Sequence, residues 1–190
     1  MKYIIGVVGE SGAGKGTFSK VFSEITTGKK VSVIKFSDIL FKTLQIWDLP
    51  PTRENLQNLP VAFVEKFGEG TLTNAVRNYI DQQESDIVIV EGVRWISDVP
   101  MIRSFENNSL VYVTAEPKLR YQRMKMRGEK AGEDKKTYEQ FLEEEKAKTE
   151  INISKIGISA DFKITNNGDL NGLREQVGEI YDRIFGKIGS

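Results

Sequence analysis

The chain has 190 residues, 39% hydrophobic and 28% charged, a balance typical of a soluble single domain spanning residues 1–190. Basic and acidic residues each number 27, so no basic excess favours nucleic acid or an anionic membrane as a partner. The sequence contains no cysteine and no histidine, which excludes disulfides, thiolate metal sites and the commonest general base. The apolar run at the N-terminus is too short to span a bilayer, so we expect a cytoplasmic protein.

Short β-branched apolar runs recur along the chain and predict strands that are buried on both faces. They are Tyr3–Val8, Val31–Phe36, Ile87–Val90, Leu110–Val113 and Phe162–Thr165. Stretches with helical apolar spacing lie between these runs and after the last one. Strands that alternate with helices predict a parallel sheet with helices on both faces.

Two connections are longer than the rest. Residues 37–85 contain breaks at Pro50–Pro51 and at Gly68–Gly70, which predict an insertion of three helices. Residues 128–136 read GEKAGEDKK and have no apolar anchor, so we expect an exposed, mobile lid.

The segment GESGAGKGT at residues 9–17 joins the first predicted strand to the first predicted helix. In this context a glycine-rich segment binds phosphates, because its N–H groups and the start of the helix can face phosphate oxygens. Lys15 adds a full positive charge for the β- and γ-phosphates, and Thr17 offers a hydroxyl to Mg²⁺ or to a phosphate. The predicted nucleotide contacts are Gly9, Glu10, Ser11, Gly12, Ala13, Gly14, Lys15, Gly16, Thr17 and Phe18.

One position departs from the strict phosphate-loop pattern, because Gly16 follows Lys15 where Ser or Thr is commoner. The resulting Gly-Lys-Gly-Thr sequence resembles the nucleoside monophosphate kinases, adenylate kinase in particular. The resemblance implies an α/β three-layer P-loop kinase fold, with a five-stranded parallel sheet in the order 2-3-1-4-5. It also implies ATP and Mg²⁺ as ligands, an acceptor-binding insertion after strand 2 and a lid after strand 4.

Residues 87–94 read IVIVEGVR, an apolar strand followed by Glu91, Gly92 and then Arg94. A carboxylate at a strand tip beside the phosphate loop can hold the water shell of Mg²⁺. The planar guanidinium of Arg94 can grip an acceptor phosphate. The matching segment of nucleoside monophosphate kinases looks similar, with Asp in place of Glu91. A solvated strand end with a surface arginine is the alternative.

Asp38 resembles the aspartate that opens a helix on the acceptor side in this family, and it could accept a proton from a hydroxyl acceptor. A plain helix N-cap is the alternative role. Phe41 occupies the position at which the family has an arginine for the acceptor phosphate. Lys42, Arg53 and Arg77 are the cations that could replace it.

Arg120, Arg123 and Arg127 recur at intervals of three and four residues and predict one cationic helix face before the lid. Arg123 and Arg127 resemble the lid-flanking arginines of nucleoside monophosphate and dephospho-coenzyme A kinases. Arg120 is expected on a solvated face, paired with nearby glutamates. The helix after the lid, from Thr137 to about Glu150, is expected to turn residues 143–145 to solvent, with contact to the cations before the lid as the alternative.

Asn166 and Gly168 follow the last predicted strand, in a turn that lies near the adenine in P-loop kinases. These two residues could therefore border the base. The alternative is a tight turn in which Asp169 caps the final helix.

These features predict transfer of the γ-phosphate of ATP to a nucleoside monophosphate-like acceptor, with no nucleic-acid or membrane partner. The predicted catalytic residues are Lys15, Asp38, Arg94, Arg123 and Arg127, and the predicted metal contacts are Thr17 and Glu91. Two other functions stay open: phosphorylation of a hydroxyl in the manner of dephospho-coenzyme A kinase, and a non-catalytic nucleotide switch. The acceptor and the oligomeric state are not determined by the sequence.

Overall fold

The computed structural model describes residues 2–68, 70–127, 136–146 and 151–186, apart from the side chains of residues 53 and 57. Its centre is a five-stranded parallel sheet in the order β2-β3-β1-β4-β5, which confirms the predicted strand order. The strands are β1 (Tyr3–Val8), β2 (Val31–Lys35), β3 (Ile87–Val93), β4 (Asn107–Thr114) and β5 (Phe162–Thr165). The helices are α1 (Lys15–Ile25), α2 (Phe36–Ile46), α3 (Arg53–Phe67), α4 (Thr71–Asp81), α5 (Asp98–Arg103), α6 (Pro117–Arg127), α7 (Tyr138–Glu144), α8 (Ile153–Ile158) and α9 (Leu170–Phe185).

Helices cover both faces of the sheet, as predicted, because alternate residues of each apolar strand point to opposite sides. Ile5 and Val7 of β1 face α1 and α9, whereas Ile4 and Val8 face α4, α5 and α8. All four side chains are fully buried. None of the helices within the described ranges is both long and apolar enough to cross a membrane.

The insertion between β2 and β3 consists of α2, α3 and α4, and its breaks lie where proline and glycine predicted them. Thr52 starts α3 as an N-cap that accepts a hydrogen bond from Asn55 N at 3.1 Å. Gly68 and Gly70 separate α3 from α4, both with φ of 89°. Sequence reasoning missed α5 and α8, because six residues are too few to show a helical period.

The predicted lid lies outside the described residues, except for Lys136 at its end. The helix predicted after it is observed as α7. It ends at Glu144, with Glu145 as its C-cap, and is therefore shorter than the predicted helix, which extended to about Glu150. Thr137 caps α7 and forms a capping box with Gln140.

Parallel strands bring their carboxyl ends to one edge of the sheet, which we call the carboxyl edge. The segments that follow β1, β2, β3, β4 and β5 therefore meet there. This edge gathers the phosphate loop, Glu91, Arg94, the start of α6 and Asn166. The amino edge carries the segments that precede the strands.

Candidate phosphate-binding site

Two glycines of the phosphate loop have backbone angles that favour glycine. Gly12 has φ of 77° and Gly14 has φ of 103°. A Cβ atom at Gly12 would lie 2.4 Å from the carbonyl oxygen of Arg120, and one at Gly14 would lie 2.4 Å from Nδ2 of Asn166. The loop thus packs directly on the segments that follow β4 and β5, which fixes its position at the carboxyl edge.

The ammonium of Lys15 lies across the loop and donates hydrogen bonds to the carbonyl oxygens of Gly9 at 2.7 Å and Glu10 at 2.9 Å. Helix α1 begins at Lys15, and its N-cap is Gly14, which has no side chain to bond the N–H groups of the first turn. A helix N-terminus and an ammonium together attract an anion, and phosphate suits both donors. The loop residues present fit the phosphates of a nucleotide.

Two of the predicted nucleotide contacts have side chains that cannot reach a ligand. Ala13 and Phe18 are both fully buried, and Phe18 packs in the core between the sheet and α1. Phe18 N donates to the carbonyl oxygen of Gly14 at 2.9 Å. Any contribution of these residues to phosphate binding is therefore made by the main chain.

Asn166 holds the loop from the side of β5. Its buried Nδ2 donates to the carbonyl oxygen of Ala13 at 2.9 Å, and its main-chain N–H donates to that of Thr114 at 2.7 Å. Arg123 donates to the carbonyl oxygens of Asn166 at 2.8 Å and Gly168 at 3.3 Å. Burial lowers the pKa of the Arg123 guanidinium. Arg123 therefore lies against the turn after β5.

The same turn also contains the helix cap that sequence reasoning proposed as an alternative. The Asp169 carboxylate accepts a hydrogen bond from Gly172 N at 3.0 Å and so caps α9. Gly168 has open space around its α-carbon, with no heavy atom within 4 Å of a Cβ built there. The cap is confirmed, and the placement of Asn166 and Gly168 beside a base stays a prediction.

Glu91 lies at the first turn of α1. Its side chain is buried, and its Oε1 is 4.0 Å from the position of a Cβ built at Gly16, next to the exposed Thr17. Carboxylate and hydroxyl oxygens fit Mg²⁺, which prefers oxygen ligands and retains several waters. Within the described part of the chain no group of three or more acidic side chains is placed to hold a metal ion, so phosphate and water oxygens would have to supply most of the coordination.

The strand that carries Glu91 continues to Val93, further than the sequence predicted. Gly92 has φ of 90°, and the register between β1 and β3 shifts there, so that Val8 pairs with Val93. Such a bulge turns the chain after Glu91 and is readily formed at glycine. The bulge sets the direction in which the chain continues to Arg94.

Asp98 is a site residue that sequence reasoning missed. Its carboxylate accepts the main-chain N–H groups of Arg94 at 3.0 Å and Trp95 at 2.9 Å, and only 3% of the residue is exposed. Burial raises its pKa, although the two N–H donors oppose the rise. An Asp a few residues after a strand end is a typical turn former, and that signal could have found it. Asp98 fixes the turn from which Arg94 projects.

One of the three cations considered as substitutes on the acceptor side lies elsewhere. Arg77 donates to Ser104 Oγ, and its guanidinium lies 4.6 Å from the centroid of the Phe105 ring. Ser104 and Phe105 directly precede β4, so Arg77 is at the amino edge, opposite the phosphate loop. The hypothesis that Arg77 supplies the missing cation is therefore wrong. α4 runs back toward the start of β3, which the sequence did not reveal.

Three other acceptor-side residues, Asp38, Phe41 and Lys42, lie on α2, which begins directly after β2. The Asp38 carboxylate accepts the main-chain N–H of Lys35 at 2.7 Å. Lys35 is the N-cap of α2 and Asp38 is the third residue of the helix, so the N-cap role is wrong for Asp38, which instead closes a capping box. Lys42 Nζ donates to Tyr79 Oη at 2.6 Å and lies 3.9 Å from the centroid of that ring. Phe41 is 44% exposed. The side chain of Arg53 lies outside the described atoms.

The three arginines of α6 do not share one environment. Arg127 is exposed, Arg123 reaches the turn after β5, and Arg120 is 5% exposed and paired with Glu145. The expected pairing of Arg120 with a glutamate is confirmed, but its expected solvated face is wrong, because Arg120 is buried. Glu143 and Glu144 are exposed as expected, whereas Glu145 contacts one of the three cations, which was the alternative. α7 packs over this part of α6, which the charge spacing could not indicate.

The sheet order, the glycine-rich loop after β1 and the helix that starts at Lys15 define a nucleotide-binding protein of the P-loop kinase fold. Residues 5–151 match the AAA_18 family, described as an AAA domain, and the chain belongs to that family.

Related sequences span the whole chain. UPF0200 protein PH1008 of Pyrococcus horikoshii is 29% identical over 189 residues, covering 96% of this chain and 97% of that protein. UPF0200 protein MJ1399 of Methanocaldococcus jannaschii is 26% identical over 187 residues, covering 97% and 92%. Both relatives match this chain along nearly its full length.

Solved structures share the fold at low sequence identity. TT1252 from Thermus thermophilus has a TM-score of 0.61 at 17% identity, covering 97% of this chain and 99% of that chain. Shikimate kinase from Acinetobacter baumannii in complex with shikimate has a TM-score of 0.58 at 16% identity, covering 97% and 93%. At these identities the likeness shows the fold.

Proposed function

We propose that this protein transfers the γ-phosphate of ATP to a small acceptor, with a nucleoside monophosphate-like molecule as the first candidate. The observation that supports this most directly is the joint placement of Lys15, the N-terminus of α1 and Glu91 at one end of a rigidly packed phosphate loop. Phosphoryl transfer depends mainly on positioning and charge neutralisation, and these groups supply both.

Each residue has a separate task in this proposal. Lys15 and the main-chain N–H groups of the loop hold the β- and γ-phosphates, and Arg123 borders the base. Glu91 and Thr17 hold Mg²⁺, which neutralises phosphate charge when bound. The acceptor oxygen forms its bond to the γ-phosphorus in line with the bond to the bridging oxygen, which breaks and leaves with ADP. Arg94 holds the acceptor, and exposed Arg127 neutralises charge on the transferring group.

A hydroxyl acceptor is the second candidate, and two observations favour it. Phe41 stands where a second arginine would hold an acceptor phosphate, and Arg77 is at the opposite edge of the sheet. With fewer cations available, a neutral hydroxyl is easier to accommodate than a dianionic phosphate. In that reaction the hydroxyl proton passes to the carboxylate of Asp38.

An ATP-consumption screen tests the proposal. ADP release is followed with nucleoside monophosphates, their deoxy forms and dephospho-coenzyme A as acceptors, with Lys15→Ala run in parallel. We expect release above the acceptor-free rate with one acceptor class, and none with Lys15→Ala. Asp38→Asn should abolish activity on a hydroxyl acceptor and spare activity on a monophosphate. Tight ATP binding without turnover on any acceptor would instead identify a nucleotide switch and overturn the kinase proposal.

A further inference from the structure

Arg120 makes more contacts than a surface ion pair requires. Its Nε donates to the carbonyl oxygen of Ala115 at 2.8 Å. Its two terminal nitrogens face both carboxylate oxygens of Glu145, with Nη2 to Oε2 at 3.1 Å, and the side chains are 6% and 23% exposed. The guanidinium also lies 5.5 Å from the centroid of the Phe141 ring. Three groups from two segments therefore surround one guanidinium.

The same residue touches the phosphate loop. The carbonyl oxygen of Arg120 is the atom that excludes a side chain at Gly12, and its Nη1 is 3.5 Å from the carbonyl oxygen of Ser11. The main chain of Arg120 thus supports the middle of the loop from outside, while its side chain extends to α7. Arg120 is the junction between the loop and α7.

We propose that Arg120 is a positioning residue for the phosphate loop, and that Glu145 couples nucleotide binding to the docking of α7 through it. This inference rests on the nucleotide binding proposed above. A buried guanidinium is stable only when its donors are satisfied, so loss of the Glu145 carboxylate leaves an unpaired charge against Ser11 and Gly12. The side chain then shifts toward solvent, and the loop loses the support that presents its N–H groups to phosphate.

The ion pair is not what keeps α7 attached. The rings of Tyr121, Tyr138 and Phe141 pack together, with centroids 5.3 to 6.2 Å apart, and Tyr121 Oη donates to the carbonyl oxygen of Lys136 at 2.7 Å. α7 should therefore remain folded on α6 when the pair is broken. What changes is the link between α7 and the loop.

A second ion pair offers a matched control. Arg103 also makes a two-pronged contact with a carboxylate, that of Asp161, but at the amino edge, away from the loop. Breaking that pair removes the same chemistry from the fold without touching Ser11 or Gly12. If Arg120 contributed only to general stability, loss of either ion pair would change the nucleotide affinity to the same extent.

The experiment measures the dissociation constant of Mg-ADP for the wild type, Glu145→Gln, Arg120→Lys, Arg120→Met and Arg103→Met, with urea unfolding of each. We expect affinity to fall about tenfold in Glu145→Gln and Arg120→Met, and less in Arg120→Lys, which keeps the charge. Arg103→Met should lose stability and keep its affinity. Hydrogen exchange at residues 138–144 should slow on ADP binding in the wild type but not in Glu145→Gln.

The outcomes separate this inference from the proposed function. A wild type that fails to bind ADP or ATP overturns both. A wild type that binds, with Glu145→Gln and Arg120→Lys at unchanged affinity, overturns the coupling alone. Equal losses of affinity in Glu145→Gln and Arg103→Met would also overturn it, because general stability would then explain the effect. If Arg120→Met does not fold, Glu145→Gln and Arg120→Lys decide the question.

Discussion

At the scale of single residues, two cations of the candidate site are held in position by hydrogen bonds to main-chain carbonyl oxygens. Lys15 bonds two carbonyl oxygens of its own loop, so its ammonium stays at the loop before any phosphate arrives. Arg123 is held in the same manner by the turn after β5. Side chains that are already held in place can bind a ligand without the cost of further ordering.

Lys15→Ala should abolish ADP release and weaken ATP binding, because it removes the only lysine or arginine side chain within residues 9–17. A charged contact of this kind is worth about 2–4 kcal/mol, or roughly 30- to 1000-fold. Circular dichroism should be unchanged. Lys20→Ala is the control, since Lys20 lies on the same helix with its side chain 77% exposed and its Nζ 4.0 Å from Oε1 of Glu24. Normal turnover in Lys15→Ala would remove the phosphate-loop assignment.

Arg94→Ala should raise the acceptor KM and lower kcat, while ATP binding alone changes little. A two-pronged contact with a charged acceptor group is worth about 2–4 kcal/mol, and Arg94→Lys should restore only part of it. Steady-state kinetics with varied acceptor at saturating ATP would measure this, with Arg174→Ala as a surface control. Unaltered acceptor kinetics would show that Arg94 does not hold the acceptor.

At the scale of elements, glycine is required at one position in the phosphate loop but not at one position in α9. Position 14 requires glycine because its φ is positive and because Asn166 occupies the space that a side chain at this position would fill. Gly178 lies inside α9 with open space around it, where glycine only adds flexibility to the unfolded chain. Two substitutions to alanine should therefore have opposite effects.

Gly14→Ala should lower the free energy of unfolding by about 2 kcal/mol and abolish ADP binding, because the new Cβ forces Asn166 away from the loop. Gly178→Ala should raise the free energy of unfolding by about 0.5–1 kcal/mol and leave ADP binding unchanged. Urea unfolding and ADP titration of both variants test this. Effects of the same sign would contradict the local geometry of one of them.

At the scale of the whole molecule, the two edges of the sheet have separate tasks. The carboxyl edge gathers the phosphate loop, Glu91 and Arg94, whereas the Arg103–Asp161 ion pair joins segments at the amino edge. Arg103, from α5, contacts both Asp161, before β5, and Asn108, in β4. This contact joins segments distant in the sequence, so it should contribute to global stability but not to binding.

The pair at the amino edge should make stability depend on pH. Burial alone would raise the pKa of Asp161, but the Arg103 guanidinium and the N–H of Leu110 together hold it below its usual value of 3.8. A lowered pKa stabilises the fold above the usual value, and this contribution is lost as pH falls through the folded-state pKa. Arg103→Met should cost about 1 kcal/mol at neutral pH, since the pair is partly exposed to solvent. Urea unfolding should show the difference from wild type shrinking in acid; a constant difference would contradict it.

The sequence by itself determined whatever is encoded within a contiguous segment. The five strands, the breaks at Pro50–Pro51 and Gly68–Gly70, and the phosphate loop before Lys15 were all predicted and are observed. Their signals are local: a β-branched run, a residue with special backbone angles, a spacing within one turn. The resemblance to nucleoside monophosphate kinases supplied the sheet order, which the described strands confirm.

Only the tertiary structure decided which charged side chains face the site. Arg77 was considered as a cation for the acceptor and Arg120 was expected on a solvated face, yet Arg77 lies at the amino edge and Arg120 is buried beside Glu145. Asp98 was overlooked because its role depends on the turn it bonds. The environment of a side chain depends on segments far away in the sequence, and helix spacing indicates its face but not what packs there. The position of a charge is therefore determined by the packed fold, whereas the phosphate-loop motif is contained in nine consecutive residues.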